Sequence, residues 1–318
     1  MAAPPTRPFR TVAAAVDFSD GSAGALVRAA DLAERSGAAL HVLHADVLFR
    51  SSGDGAPDAS PSAALRVRVE RFAAEALGLD GAGLDGLGPE ISVVRDVTAP
   101  AALLRYAAEA RADVLVVGTH GRSGVARLLL GSVAEALVAA APCPVLAVPA
   151  RASGTAPSPG APVLVAVDFS ERSRAALVAG RALAALYGAS VEVVHAVRDA
   201  GPHPPFATEV LSVSDVDPDE ADAVRDRLRR FAAGSTDAAP GEVCHVAYGA
   251  PSRAVSALAD ERGAGAVVMG THGRTGLARI VGSVAEATLR RAPCPVLTLK
   301  EAERLGGDPA PVRSALAS

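Results

Sequence analysis

The sequence predicts an α/β protein built as two tandem, doubly wound domains, each with a five-stranded parallel sheet. Three observations carry this reading. The 318 residues exceed one ordinary domain and suit two, each large enough to bury its own core. The segment TVAAAVDFSDGSAGALVRAADLA recurs as VLVAVDFSERSRAALVAGRALA with Asp17 matching Asp168, and the same offset of 151 residues links His44 to His195, Pro100 to Pro251 and Pro142 to Pro293. Within each copy, short apolar runs alternate with patterns of helical period, which predicts parallel strands covered by helices on both faces. A repeat this long is a whole domain and not a solenoid unit.

Taken in order, residues 12–16 (VAAAV) are the first strand, and Ser19 is the N-cap of a helix whose apolar face runs through Leu26, Ala29, Ala30 and Ala33. Residues 40–45 (LHVLHA) form the second strand. A Gly/Ser/Pro/Asp-rich loop at 51–62 then leads to a helix with Leu65, Val69, Phe72 and Ala76 on one face. ISVV is the third strand, and the next helix starts at Pro100, where proline suits the first turn. Residues 113–118 (DVLVVG) are the fourth strand, 133–140 a helix and 144–148 (PVLAV) the fifth strand. The domains are expected at 9–149 and 162–300, joined by a Pro/Gly/Ser-rich linker at 150–161 and followed by a disordered tail at 301–318.

Composition narrows the function. With 35 acidic and 31 basic residues the net charge is −4, which creates no field to draw in nucleic acid or an anionic membrane surface. The longest apolar stretch, 136–150, is broken by Pro142, Pro144 and Pro149 and is too short to span a bilayer. The N-terminal residues do not read as a signal peptide, so a cytoplasmic location is expected. Cys143, Cys244 and Cys294 lack metal-ligand or CxxC spacing and read as reduced thiols in strands. Lys300, the sole lysine, follows the last strand, which excludes a Walker lysine loop and a core Schiff base.

Open α/β sheets bind ligands beyond the carboxyl ends of their strands. After the fourth strand the chain reads Gly118-Thr119-His120-Gly121-Arg122-Ser123-Gly124, and Gly131-Ser132 then opens a helix. Glycines let backbone N–H groups approach an anion, and a helix start offers unpaired donors worth about 0.3 to 1 kcal/mol per charge. Arg122 and Arg127 are expected to add charge-assisted contacts, with Arg274 at the place of Arg122 in the second copy. A reading without ligand stands beside this one: Ser132 with Glu135, and Ser283 with Glu286, have the spacing of a capping box.

The spacing G-x2-G-x9-G-[ST] at Gly118, Gly121, Gly131 and Ser132 resembles the nucleotide-binding signature of the universal stress protein family. The VDFS strand end with Asp17, the LH at the end of the second strand, GTHGRSG, GSVAE and APCPVL resemble that family in the same order. The resemblance implies a nucleotide-binding type of fold with ATP, or ATP with magnesium, as ligand. Adenine would lie near Asp17 and Ala45 in the first copy and near Asp168 and Ala196 in the second. Ribose and phosphates would be held at Gly118, Gly121, Gly131 and Ser132, and at Gly270, Gly273, Gly282 and Ser283. It also implies pairing of the two copies through their fifth strands, or a homo-oligomer.

Both copies depart from the pattern. Only eight residues separate Gly273 from Gly282, and the missing residue is expected to shift Gly282 and Ser283 against Gly273 by rotating the connector roughly 100°. Thr98 replaces Gly249 before the third helix, and a β-branched residue fits a positive φ poorly. His44 and His195 are expected to bond locally, and His41, matched by Glu192, to face solvent. No nucleophile with an adjacent base, no metal cluster and no GxSxG elbow is evident. Besides a nucleotide-sensing stress protein, a slow ATPase and a ligand-free interaction module remain as readings.

Overall fold

The computed structural model describes residues 8–47, 63–119, 130–152, 160–197, 218–234, 242–271 and 281–300. The first copy runs β1 (Thr11–Val16), α1 (Asp20–Ser36), β2 (Ala39–Val47), α2 (Ala63–Leu77), α3 (Gly81–Leu87), β3 (Glu90–Asp96), α4 (Ala99–Glu109), β4 (Val114–Gly118), α5 (Ser132–Ala140) and β5 (Val145–Val148). A short 3-10 turn at Ala150–Ala152 follows. The second copy runs β6 (Val163–Ala166), α6 (Glu171–Tyr187), β7 (Val191–Val197), α7 (Pro218–Ala233), β8 (Val243–Tyr248), α8 (Pro251–Glu261), β9 (Ala266–Gly270), α9 (Ser283–Arg291) and β10 (Val296–Leu299).

All ten strands share one sheet in the order β3-β2-β1-β4-β5-β10-β9-β6-β7-β8. Each copy contributes five parallel strands, and β5 meets β10 antiparallel with Leu146 opposite Leu297. The inner strands are buried on both faces, as continuous apolar runs such as VLVV and VLAV require. On one face α1, α2, α6 and α7 bring Leu26, Val69, Leu177 and Leu228 onto the sheet. On the other, α4, α5, α8 and α9 bring Leu103, Leu137, Val255 and Leu289. No helix among the described residues is long and apolar enough to cross a membrane.

Local chemistry explains the element starts. Ser19 caps α1, accepting from Ser22 N at 3.2 Å, and Gly37 ends the helix with φ 63°, a left-handed turn that glycine adopts without a Cβ clash. Thr98 is not strained: it sits at φ −137° as the N-cap of α4, where its hydroxyl accepts from Ala101 N. Gly249 alone takes the positive φ, 110°, and α8 starts two residues later without a side-chain cap. The glycine and threonine solutions to the same turn are therefore different, and each fits its own backbone.

Three other expectations are corrected. Helix α3 was not foreseen, because Gly81, Gly83 and Gly86 break any helical signal; Asp80 starts it by accepting from Gly83 N at 2.7 Å. Cys143 and Cys294 lie in the turns before β5 and β10, and only Cys244 lies in a strand. His41 does not face solvent: its Nδ1 lies 3.0 Å from the Tyr106 hydroxyl, and the side chain is mostly covered. The tail at 301–318 and the loop at 51–62 lie outside the described residues.

Candidate functional site

The chain crosses from β1 to β2 and β3 on one side and then to β4 on the other, so the sheet has its switch point between β1 and β4. Register brings the expected residues of the first copy to that place. Val16 pairs with His44, which sets Ala45 one step on beside Asp17, and Ala15 pairs with Val117, one residue before Gly118. The second copy repeats this around β6, β7 and β9, with Asp168, Ala196 and Gly270.

Asp17 is fixed by the turn that follows it. Phe18 has φ 66°, left-handed backbone that costs a side-chain-bearing residue of order 1–3 kcal/mol, and Phe169 has the same value. Packing holds it there. The Phe18 ring lies 4.5 Å from the His44 ring and 5.5 Å edge-on from Phe72, with the Arg68 guanidinium 4.1 Å above it. In the second copy His195, Phe231 and Arg227 surround Phe169 in the same way, at 4.3, 5.5 and 4.2 Å.

His44 Nδ1 donates to the Val16 carbonyl at 2.8 Å, and His195 Nδ1 to Val167 at 2.8 Å, so both histidines bond locally as expected. The left-handed turn brings Ser19 back to Asp17, whose Oδ1 accepts from the Ser19 hydroxyl at 2.5 Å and from its N–H at 3.1 Å. Asp168 and Ser170 repeat those bonds at 2.5 and 3.0 Å. Both carboxylates are thus oriented before any ligand arrives.

Gly118 owes its identity to helix packing. A Cβ there would stand 2.7 Å from the Gly21 carbonyl oxygen, because the first turn of α1 crosses the end of β4. Thr119 follows, buried, with its N–H on Val148 O and its carbonyl accepting Gly131 N–H at 2.8 Å. That bond returns the chain to the sheet, so α5 begins where β4 ends. Gly131 is the N-cap, with φ −62° and ψ 139°, and no side chain caps the first turn. Ser132 is the first helical residue and exposed, so the expected capping box is absent: one residue of phase puts its hydroxyl out of capping position.

The second copy matches this closely. Gly282 N–H bonds the Thr271 carbonyl at 2.7 Å, Gly282 has φ −61° and ψ 142°, and Ser283 opens α9 exposed and without a side-chain cap. The Ser283–Glu286 capping box is absent as well. Gly282 and Ser283 thus sit against the sheet as Gly131 and Ser132 do, while their expected shift against Gly273 falls on a residue outside the described ones. Gly121, Arg122, Arg127, Gly273 and Arg274, with His120 and His272, lie outside the described residues.

Two residue pairs escaped sequence reasoning: Phe18 and Phe169, which shape the aspartate turn, and Thr119 and Thr271, which anchor the helix starts. Both stand inside the repeated strings VDFS and GTHGR, so their recurrence was the available signal. Where β2 and β3 end, the copies differ. Asp46 takes two bonds from Arg95, at 2.7 and 2.9 Å, while Val197 pairs with Tyr248 at the same level of the second copy. Among the described residues no group of three or more His, Cys, Asp or Glu is placed to hold a metal ion.

The profile of the Universal stress protein family matches the chain twice, over residues 8–149 and 161–300. The chain belongs to the universal stress protein family. A universal stress protein of Thermus aquaticus is 35% identical over 140 residues, 44% of this chain and 98% of that protein. A universal stress protein of Mycobacterium tuberculosis strain H37Rv is 32% identical over 196 residues, 60% of this chain and 62% of the relative, so the match spans less than two thirds of that relative's length. The crystal structure of a universal stress protein from Archaeoglobus fulgidus shares the fold, with a TM-score of 0.62 at 22% identity over 92% of this chain and 98% of the other.

Proposed function

We propose that this universal stress protein binds one adenine nucleotide, ATP or a close relative, at each of its two switch points and acts in a cytoplasmic stress response through ligand-dependent changes of shape or partners. The first site comprises Asp17, Ala45, Gly118, Gly121, Arg122, Gly131 and Ser132. The second comprises Asp168, Ala196, Gly270, Gly273, Arg274, Gly282 and Ser283. The observation that supports this reading best is the pair of helix starts at Gly131 and Gly282, level with the strand ends and lacking a side-chain cap. Their first-turn N–H groups suit a phosphate better than an apolar ligand.

Asp17 and Asp168 each hold a serine through Oδ1 and suit recognition of a polar edge of the ligand. A magnesium ion would arrive with the phosphates, since a lone carboxylate per copy is thin support for a resident ion. Within this proposal the chain divides into domains at 9–149 and 162–300 that dock in solution through β5 and β10.

The test is mass spectrometry of small molecules released from the purified full chain by acid, with and without prior incubation with ATP. Adenine nucleotide recovered in proportion to protein is the expected result. Recovery of none in either condition would favour a ligand-free interaction module.

A further inference from the structure

A cleft opens between the two halves of the molecule, at the amino-terminal ends of β6, β9 and β10 and so at the opposite end of the sheet from the second nucleotide position. Its cavity volume is about 130 Å³, on the scale of the roughly 150 Å³ apolar cavity that accepts a single benzene ring. Leu32 of α1, Leu146 of β5, Val163 of β6 and Leu183 of α6 give it apolar walls. Arg28 and Arg35 of α1 are the charged side chains among its described lining residues, and Tyr187 of α6 stands with them.

These polar groups form one network across the two copies. The Tyr187 hydroxyl donates to Asp31 at 2.6 Å and is hydrogen-bonded by Arg28. Arg35 bonds Asp31 at 2.7 Å, and its guanidinium lies 4.7 Å over the Tyr187 ring. Burial and then Asp31 push the Tyr187 hydroxyl well above its usual value, so it stays neutral. Arg35 thus pairs with Asp31 while Arg28 bonds the Tyr187 hydroxyl, and both guanidiniums of α1 stand at the cleft wall.

The internal repeat explains why the cleft exists on this side. Gly160 of the lining corresponds to Phe9, which is fully buried in the core of the first copy. Gly265 corresponds to Asp113, whose carboxylate accepts the N–H groups of Arg10 and Thr11 at 2.6 and 2.9 Å. Arg28 and Arg35 correspond to Ala179 and Leu186. One copy therefore fills the space with its own benzyl side chain, while the other opens it with two glycines and lines it with cations.

We propose that this cleft is a second ligand site that takes a small aromatic carboxylate, its ring on the leucine and valine walls and its carboxylate on Arg28 and Arg35. The pseudo-equivalent Phe9 sets the size of the ring, and the arginines, absent from the mirror position, set the charge. The site is independent of the nucleotide positions, so it stands whether or not those bind.

The test is calorimetric titration of the full chain, with ATP present, using phenylacetate, 3-phenylpropionate and neutral phenylacetamide. Saturable binding of one carboxylate per chain is expected, with the amide about tenfold weaker or more, the usual effect of losing a charged hydrogen bond. Arg35→Leu, which installs the residue type of the mirror position, should weaken the carboxylate about tenfold and leave the amide unchanged. Ala189→Phe, placed on the cleft wall, should abolish both. Ring-to-methyl nuclear Overhauser effects on Leu32, Val163 and Leu183 of the unmodified chain give a readout that does not depend on a variant folding. No saturable binding, or binding without those contacts, would overturn the proposal.

Discussion

Gly118 and Phe18 meet the backbone at the same corner, and each has a residue type that the local geometry forces or strains. A Cβ on Gly118 would stand 2.7 Å from the oxygen and 2.8 Å from the carbonyl carbon of Gly21, and rigid backbone cannot yield as a side chain would. Gly118→Ala should therefore cost about 1–3 kcal/mol of stability through overpacking, read as a lower urea midpoint for the first copy. An unchanged midpoint would mean that α1 retreats freely and that the glycine serves only a ligand. The position was legible in the sequence as part of a glycine signature, but its physical reason was not, since nothing local shows that α1 crosses the end of β4. Phe18 was harder to read. Its left-handed backbone violates local preference and is held by rings from β2 and α2, a tertiary cause invisible in VDFS itself.

At the scale of elements, the strands were the most legible part: each apolar run expected in the first copy became a strand with ends shifted by two residues at most. Pattern alone did not tell which polar residues on those strands are covered. His41 on β2 and Glu192 on β7 occupy matching places and both face a helix rather than water. Glu192 is buried and bonds His245 of β8 at 2.7 Å and Arg262, just past α8, at 2.8 Å. Burial pushes its carboxyl up, and the bonds from Arg262 and His245 more than offset this, holding it below its ordinary 4.5. A depressed carboxylate pKa gives stability that is present above the unfolded value and lost as pH falls through the folded one. The melting temperature of the native chain should therefore drop below pH 4.5 more steeply than that of Glu192→Gln, which should itself be less stable at pH 7. Parallel melting curves for the two proteins between pH 7 and 3 would remove Glu192 from the acid response.

For the whole molecule, the repeat dictates that each copy ends in a strand whose outer edge needs a partner, and β5 and β10 supply each other. Thr298 Oγ1 donates to Val145 O at 3.2 Å and Lys300 Nζ to Ala141 O at 2.5 Å, so side chains close the seam that the backbone opens. Small-angle scattering of the full chain should fit one compact particle; a profile of two freely tumbling bodies would contradict docking in solution. The duplication and the one-residue difference in loop length were plain in the sequence, whereas the equivalence of the two helix starts, each on the carbonyl of the matching threonine, emerged only in space.

That equivalence bears on the central claim, that both switch points take an adenine nucleotide. Calorimetric titration of the nucleotide-stripped full chain with ATP tests it most directly, through stoichiometry. Two nucleotides per chain are predicted, with Gly131→Val and Gly282→Val each removing one while the fold persists by circular dichroism. A stoichiometry of one or zero for the unaltered, folded chain would contradict the account.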